Sequence, residues 1–193
     1  MLSTMVESGN ETTIKNLLAA YQGETNVNAR YKAYAKKADA DGLPGVASLF
    51  RATARAEQVH ANNQSRVLRQ LGGEARAEVL AFKVQATLDN LKSALAGEKY
   101  EIESMYPAFI TEAMAHIHAT AARAFTWALE AEKTHVRLYN KTIAAVESGQ
   151  SDSWVRSPRD FYVCPVCACT SEEREPMNCP ICQYPSDRLE TVS

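Results

Sequence analysis

Glu57-Gln58-Val59-His60 and Glu132-Lys133-Thr134-His135 are one pattern, Glu-x-x-His, written twice in the chain. Each copy interrupts an apolar stripe of helical period. The first stripe runs Val46, Leu49, Phe50, Thr53, then Glu57 and His60, then Gln64, Val67 and Leu71. The second runs Ile110, Ile117, Ala124 and Ala128 into Glu132 and His135, followed by Tyr139 and Ile143. Side chains three apart on a helix share a face, so each Glu-x-x-His offers a carboxylate and an imidazole from one surface.

Two further helical stripes carry inward carboxylates. Glu24 lies among Ile14, Leu17, Tyr21 and Tyr31, and Glu98 and Glu101 lie among Leu88, Leu91, Leu95 and Met105. Burying such groups unpaired costs on the order of several kcal/mol each, and no Lys or Arg occupies a matching stripe position. Divalent cations neutralise them. Five glutamates and two histidines suit two hard-to-borderline ions such as iron or manganese, which predicts a dinuclear site. The competing reading puts Glu57, Glu98 and Glu132 on solvated faces, with the stripes drawn one position wrong. Tyr31 and Tyr106, one or two turns from Glu24 and Glu101, are candidates for hydrogen bonding to the ligands. His116 and His118, two apart, face different directions and read as surface residues.

Working outward, residues 11–147 are rich in Ala, Leu, Glu, Lys and Arg, the composition of long helices. Four are expected. Helix A covers about Glu11 to Asp39, and helix B about Pro44 to Leu71, closed by Gly72 and Gly73. Helix C covers Val84 to Tyr106, and Pro107 marks a break before helix D, which runs to about Val146. The stretch Gly72 to Lys83 is long for a bundle loop and reads as a crossover. One long connection between the second and third helices predicts an all-α ferritin-like four-helix bundle over residues 1–148.

Residues 149–193 form the second expected unit, entered by the polar linker Ser148, Gly149, Gln150, Ser151, Asp152 and Ser153. It holds five prolines and all five cysteines, with too little apolar mass to fold without a staple. Cys164 and Cys167 form one Cys-x-x-Cys, Cys179 and Cys182 another. Such pairs present four sulfurs tetrahedrally, to zinc or to a single iron. Cys169 stands outside the pairs and reads as a spare thiol.

Composition excludes other classes. A net charge of −2 over 193 residues gives no basic excess for nucleic acid or an anionic membrane. No stretch has the length and apolarity of a signal peptide or a membrane span, and the clustered cysteines are not a disulfide framework, so a cytoplasmic protein is expected.

With Glu24, Glu57 to His60, Glu98 to Glu101, Glu132 to His135 and a terminal four-cysteine unit in this order, the chain resembles the rubrerythrins over nearly its whole length. Gly97-Glu98 with Glu101 ahead of Met105-Tyr106-Pro107, and Cys179-Pro180-Ile181-Cys182 followed by Pro185, carry the likeness. The resemblance implies a non-haem di-iron site that reduces hydrogen peroxide to water in oxidative stress defence. It also implies a rubredoxin-like mononuclear iron passing on electrons from an NAD(P)H-dependent reductase or rubredoxin, in a homodimer with cross-subunit delivery. By that resemblance Glu57 and Glu132 bridge the irons, Glu24 and Glu98 are terminal ligands, and His60 and His135 supply imidazoles. His60 then exchanges with Glu101 on oxidation. The chain departs from rubredoxin knuckles at Ala168, where a glycine of positive φ is usual. Rival functions are ferrous-iron oxidation and storage with a structural zinc knuckle, and oxygen-dependent hydroxylation of an organic substrate.

Overall fold

The computed structural model describes residues 2–149 and 153–193, with side chains from residue 10 onward apart from Ser153. Helix α1 spans Leu2–Ala40 and turns at Gly42, where φ is 71°, into α2, Pro44–Gln70. Pro44 opens α2 at a position where its missing N–H costs no hydrogen bond. The chain then crosses the bundle without helix or strand until α3, Thr87–Tyr100. Side-chain amides of α1 hold this crossover as a neighbouring strand would. Asn26 Nδ2 donates to the Glu78 carbonyl at 2.9 Å, the Glu78 N–H donates to Gln22 Oε1 at 2.9 Å, and the Leu80 N–H donates to Asn26 Oδ1 at 2.8 Å.

The third and fourth helices differ from expectation. Pro107 does not break the chain. Helix α3 continues through a π-turn, Glu101–Met105, into α4, Tyr106–Ala115, and the break falls at Ile117, whose φ is 60°. In the π-turn the Tyr106 N–H reaches the Glu101 carbonyl five residues back. The turn inserts one extra residue and resets the ladder just where Pro107 lacks a donor, so the proline costs little. The same residue shifts the inward face from Met105 to Tyr106, which is fully buried. Ile117 was expected in the stripe of the last helix; it is 89% exposed. Helix α5 spans Ala119–Glu147 and carries the remaining stripe inward.

The expected linker falls partly on residues 150–152, outside the described residues. A short helix α6, Ser153–Arg156, leads to a three-stranded antiparallel sheet of β1, Phe161–Val163, β2, Thr170–Ser171, and β3, Glu190–Val192, in the order β2-β1-β3. Two cysteine turns of one design flank it. The Ala168 N–H donates to the Cys164 carbonyl and the Gln183 N–H to the Cys179 carbonyl, both at 2.9 Å. Ala168 and Gln183 have φ of 69° and 63°, so each turn places a non-glycine residue in the left-handed region.

This unit packs on its own bundle. Phe161, Val163 and Ala168 share one apolar cluster with Phe50, Leu138 and Tyr139. Arg55 forks onto Glu190 at 2.6 and 2.8 Å, and Asn63 Nδ2 donates to the Val166 carbonyl at 2.7 Å. Gly45 explains the close approach: a Cβ there would lie 2.0 Å from the Trp154 carbonyl oxygen.

Candidate metal centre

Four helices deliver the predicted carboxylates and imidazoles to one point. Glu24 comes from α1, Glu57 and His60 from α2, Glu98 from α3 and Glu132 and His135 from α5, and all six are essentially inaccessible to solvent. Their ligand atoms fall into two overlapping sets, Glu24-Glu57-His60-Glu132 and Glu57-Glu98-Glu132-His135, each within 4.8 Å. Glu57 and Glu132 belong to both sets. Glu101, in the π-turn, is buried beside them but lies outside both sets.

Both imidazoles face the carboxylates through Nδ1. His60 Nδ1 is 3.0 Å from Glu57 and 2.9 Å from Glu132; His135 Nδ1 is 2.6 Å from Glu132 and 3.3 Å from Glu98. Despite these separations, both Glu132 oxygens, Glu57 Oε1 and Glu24 Oε2 are buried without a hydrogen bond. Close approach without hydrogen-bond direction leaves their lone pairs converging on shared points. Cations satisfy such an arrangement; protein donors do not.

The electrostatics agree. Burial, reinforced by neighbouring carboxylates, raises Glu57, Glu132 and Glu101 well above the ordinary carboxylate range. Burial raises Glu24 as well. Glu98 is the exception: burial opposes its charge, but His135, Glu132 and the Tyr31 hydroxyl together bring it down to about 2. Burial, then the neighbouring His135, lowers His60 to about 3, so this ring is neutral and free to ligate.

The tyrosines reach this cluster with partners exchanged from expectation. Tyr31, two turns along α1 from its expected partner Glu24, donates across to Glu98 on α3 at 2.6 Å. Tyr106 donates to Glu24 instead of supporting Glu101. Gln64, four residues after His60 on the same face, donates to the Tyr106 hydroxyl at 3.0 Å. Its place in the α2 stripe was the available signal. His116 and His118 lie away from the cluster, half-buried, with His116 3.7 Å from Glu112.

Behind the imidazoles stands the four-cysteine unit. The Thr170 hydroxyl donates to the Ala168 carbonyl at 2.9 Å and lies 3.1 Å from His135 Nε2. Its hydrogen is thereby committed, so it accepts from Nε2–H, and the lone pair of Nδ1 is left facing the carboxylates. On His60 the corresponding neighbour is the backbone of Cys167, which favours a proton on the ring although Nε2 lacks a full hydrogen bond. Thr170 carried no motif, and nothing in its sequence context marked it.

Cys164, Cys167, Cys179 and Cys182 bring their sulfurs within 4.8 Å of one another. The Cys164 and Cys182 sulfurs are 3.5 Å apart and those of Cys167 and Cys179 3.4 Å. Thiol contacts from Cys164, Cys167 and Cys169 hold Cys179 far below the usual thiol range. The fifth cysteine is buried against the four; its backbone carbonyl accepts from the Cys164 N–H at 2.9 Å, as the Tyr184 carbonyl does from Cys179 at 2.8 Å.

A family model described as Rubrerythrin matches residues 15–143. Rubrerythrin-2 of Clostridium acetobutylicum is 32% identical over 182 residues, 94% of this chain and 97% of its own length. Nigerythrin of Nitratidesulfovibrio vulgaris is 34% identical over 177 residues, 91% of this chain and 84% of its own. The solved structure of fully reduced, all-ferrous nigerythrin superposes with a TM-score of 0.83 at 33% identity, covering 93% of this chain and 86% of that one. A bacterioferritin from Desulfovibrio desulfuricans, at 22% identity and a TM-score of 0.68, shares the fold.

Proposed function

Because the chain belongs to the rubrerythrin family, we propose that it is a non-haem di-iron peroxidase that reduces hydrogen peroxide to water, with electrons entering through iron in its four-cysteine unit. The observation that supports this reading most is the hydrogen bond between His135 Nε2 and the Thr170 hydroxyl, which ties that unit to an imidazole of the metal centre. A purely structural knuckle has no need to hold an imidazole of the other centre.

In this reading Glu57 and Glu132, common to both ligand sets, would be shared between two irons. Glu24 with His60, and Glu98 with His135, would hold one iron each at the two ends, and Cys164, Cys167, Cys179 and Cys182 would hold a third. When bound, the iron pair supplies the two electrons that cleave the oxygen–oxygen bond. The chain's own residues prepare that site. Tyr31 and Tyr106 hold Glu98 and Glu24 by hydroxyl donors, which fixes the terminal carboxylates and keeps two protons close to the reacting centre. Thr170 locks the His135 tautomer. The helix bundle keeps bulk water from the six buried ligands. Glu101, raised well above the ordinary range mainly by burial, is placed to hold a proton and release it when a cation approaches. Glu101 would thereby offer a further carboxylate beside His60, which would suit the higher charge of ferric iron.

The four-cysteine unit docks on its own bundle, so in place of the expected cross-subunit delivery the reading takes electrons within one chain, from an external NAD(P)H-dependent reductase or rubredoxin. Among the described residues no helix is long and apolar enough to cross a membrane. The test is peroxide consumption by iron-loaded protein with a reductase and rubredoxin supplied. Turnover that falls at least a hundredfold in Glu57→Ala, and as steeply when zinc replaces iron in the four-cysteine site, supports the reading. Unchanged turnover with zinc there refutes the electron route.

A further inference from the structure

A cleft of about 360 Å³ opens between α1, α3 and the crossover. Its lining contains two residues of the metal centre, Tyr31 and Glu101, and is otherwise made largely of small or apolar residues. A second hollow of about 210 Å³ continues it outward past Leu80 and Phe82, sharing Asn26, Arg30 and Leu80 with the first. Hydrogen peroxide is little larger than water, whose share of the liquid is about 30 Å³. The cleft has the size of a small-molecule site.

Two glycines keep it open. Gly23 of α1 and Gly97 of α3 both line it, and a Cβ built on either meets nothing within 4 Å. Neither has a positive φ. Glycine inside a helix costs stability, and here neither backbone geometry nor a close neighbour requires it. What the absent side chains leave is room on the approach to Glu101.

Arg30 supplies the cleft with charge. It is half-buried, lines both hollows, and makes no hydrogen bond or close ion pair among the described residues. Its charge already acts on Glu101 in the same cleft, but with no hydrogen bond made among the described residues its guanidinium donors match a further carboxylate in charge and geometry.

We propose that this cleft admits organic hydroperoxides, their carbon skeleton lying along Gly23, Gly97 and Leu80 and an anionic group, a carboxylate, meeting Arg30. The inference rests on the peroxidase reading and names a substrate class for the same centre. In the reaction ROOH takes up two electrons from the reduced di-iron centre and two protons from solvent. The oxygen–oxygen bond breaks, and ROH and water leave.

Binding and turnover test it separately. Hexanoate and hexanol are titrated calorimetrically into oxidised, iron-loaded protein while the visible spectrum reports any direct contact with iron. Hexanoate is expected to bind at least tenfold more tightly than hexanol, without a spectral change. Arg30→Gln should abolish that difference, and Gly23→Leu and Gly97→Leu should each remove both ligands. In turnover, either leucine variant should lower the ratio of kcat/KM for cumene hydroperoxide to that for hydrogen peroxide at least tenfold. Hydrogen peroxide turnover without any for cumene hydroperoxide, and without hexanoate binding, overturns this inference and leaves the peroxidase reading standing. Hexanoate binding with no turnover of either peroxide overturns both.

Discussion

The Thr170 hydroxyl, on the strand that follows the first cysteine pair, accepts the Nε2–H of His135 at 3.1 Å. One hydrogen bond thus joins the small sheet to an imidazole whose other nitrogen faces the buried carboxylates. Thr170→Val keeps the shape and removes the acceptor. Outer partners of this kind are worth about 10–100-fold in metal affinity or activity. Iron affinity of the di-iron site, measured by competition with a chelator, is expected to fall about tenfold with the circular dichroism spectrum unchanged.

Gly45 should prove intolerant of any side chain. Its Cβ would collide with the Trp154 and Ser157 carbonyl oxygens, at 2.0 and 2.9 Å. Backbone cannot yield as a flexible side chain does, and overpacking of this kind costs about 1–3 kcal/mol. In Gly45→Ala the C-terminal unit is expected to lift from α2, becoming the first target of limited proteolysis while the helical body resists.

Ala168 holds a φ of 69° that glycine would hold without strain. Ala168→Gly is expected to stabilise the cysteine turn by about 1 kcal/mol. Slower loss of metal to a chelator would register the gain. No change would mean that neighbouring contacts, such as Ala168 in the main apolar cluster, offset the strain.

Without metal, the stability contributed by the buried carboxylates should fall as pH rises above 4.5. Glu24, Glu57, Glu101 and Glu132 have folded-state values raised above their ordinary 4.5, chiefly by burial. The folded protein therefore holds protons that the unfolded chain has lost. The stability these groups contribute is complete below 4.5 and is lost as pH climbs through their raised values. His60, lowered to about 3 from 6.5, acts in the opposite sense, but below 6.5. With four such carboxylates against one imidazole, the metal-free protein is expected to melt at a lower temperature at pH 8.5 than at pH 5, and metal loading should remove the difference. Equal melting temperatures in the metal-free protein would contradict this account of the buried carboxylates.

Much of this was legible in the sequence because burying charge is costly. Glu57, His60, Glu132 and His135 stood out as ionisable residues in apolar stripes, and the structure brings those four together. The cysteine pairs were legible by spacing, and the crossover by its length. Helix boundaries around Pro107 were not, because a π-turn has no strong local signature and moves the break to Ile117. The exchanged tyrosine partners depend on how helices cross, which spacing along one helix does not encode. Thr170 became visible only when two segments 35 residues apart met. Arg30 made no stripe anomaly, since its position lies at the edge of the buried face.

The most direct measurement reduces the iron-loaded protein without oxygen, adds one equivalent of hydrogen peroxide, and follows the visible spectra of both iron centres beside an oxygen-treated control. The account predicts rapid oxidation of the di-iron centre by peroxide, followed by oxidation of the thiolate-bound iron at a rate independent of protein concentration, as expected for delivery within one assembly. Faster oxidation by oxygen than by peroxide, or a thiolate-bound iron that stays reduced throughout, would contradict it.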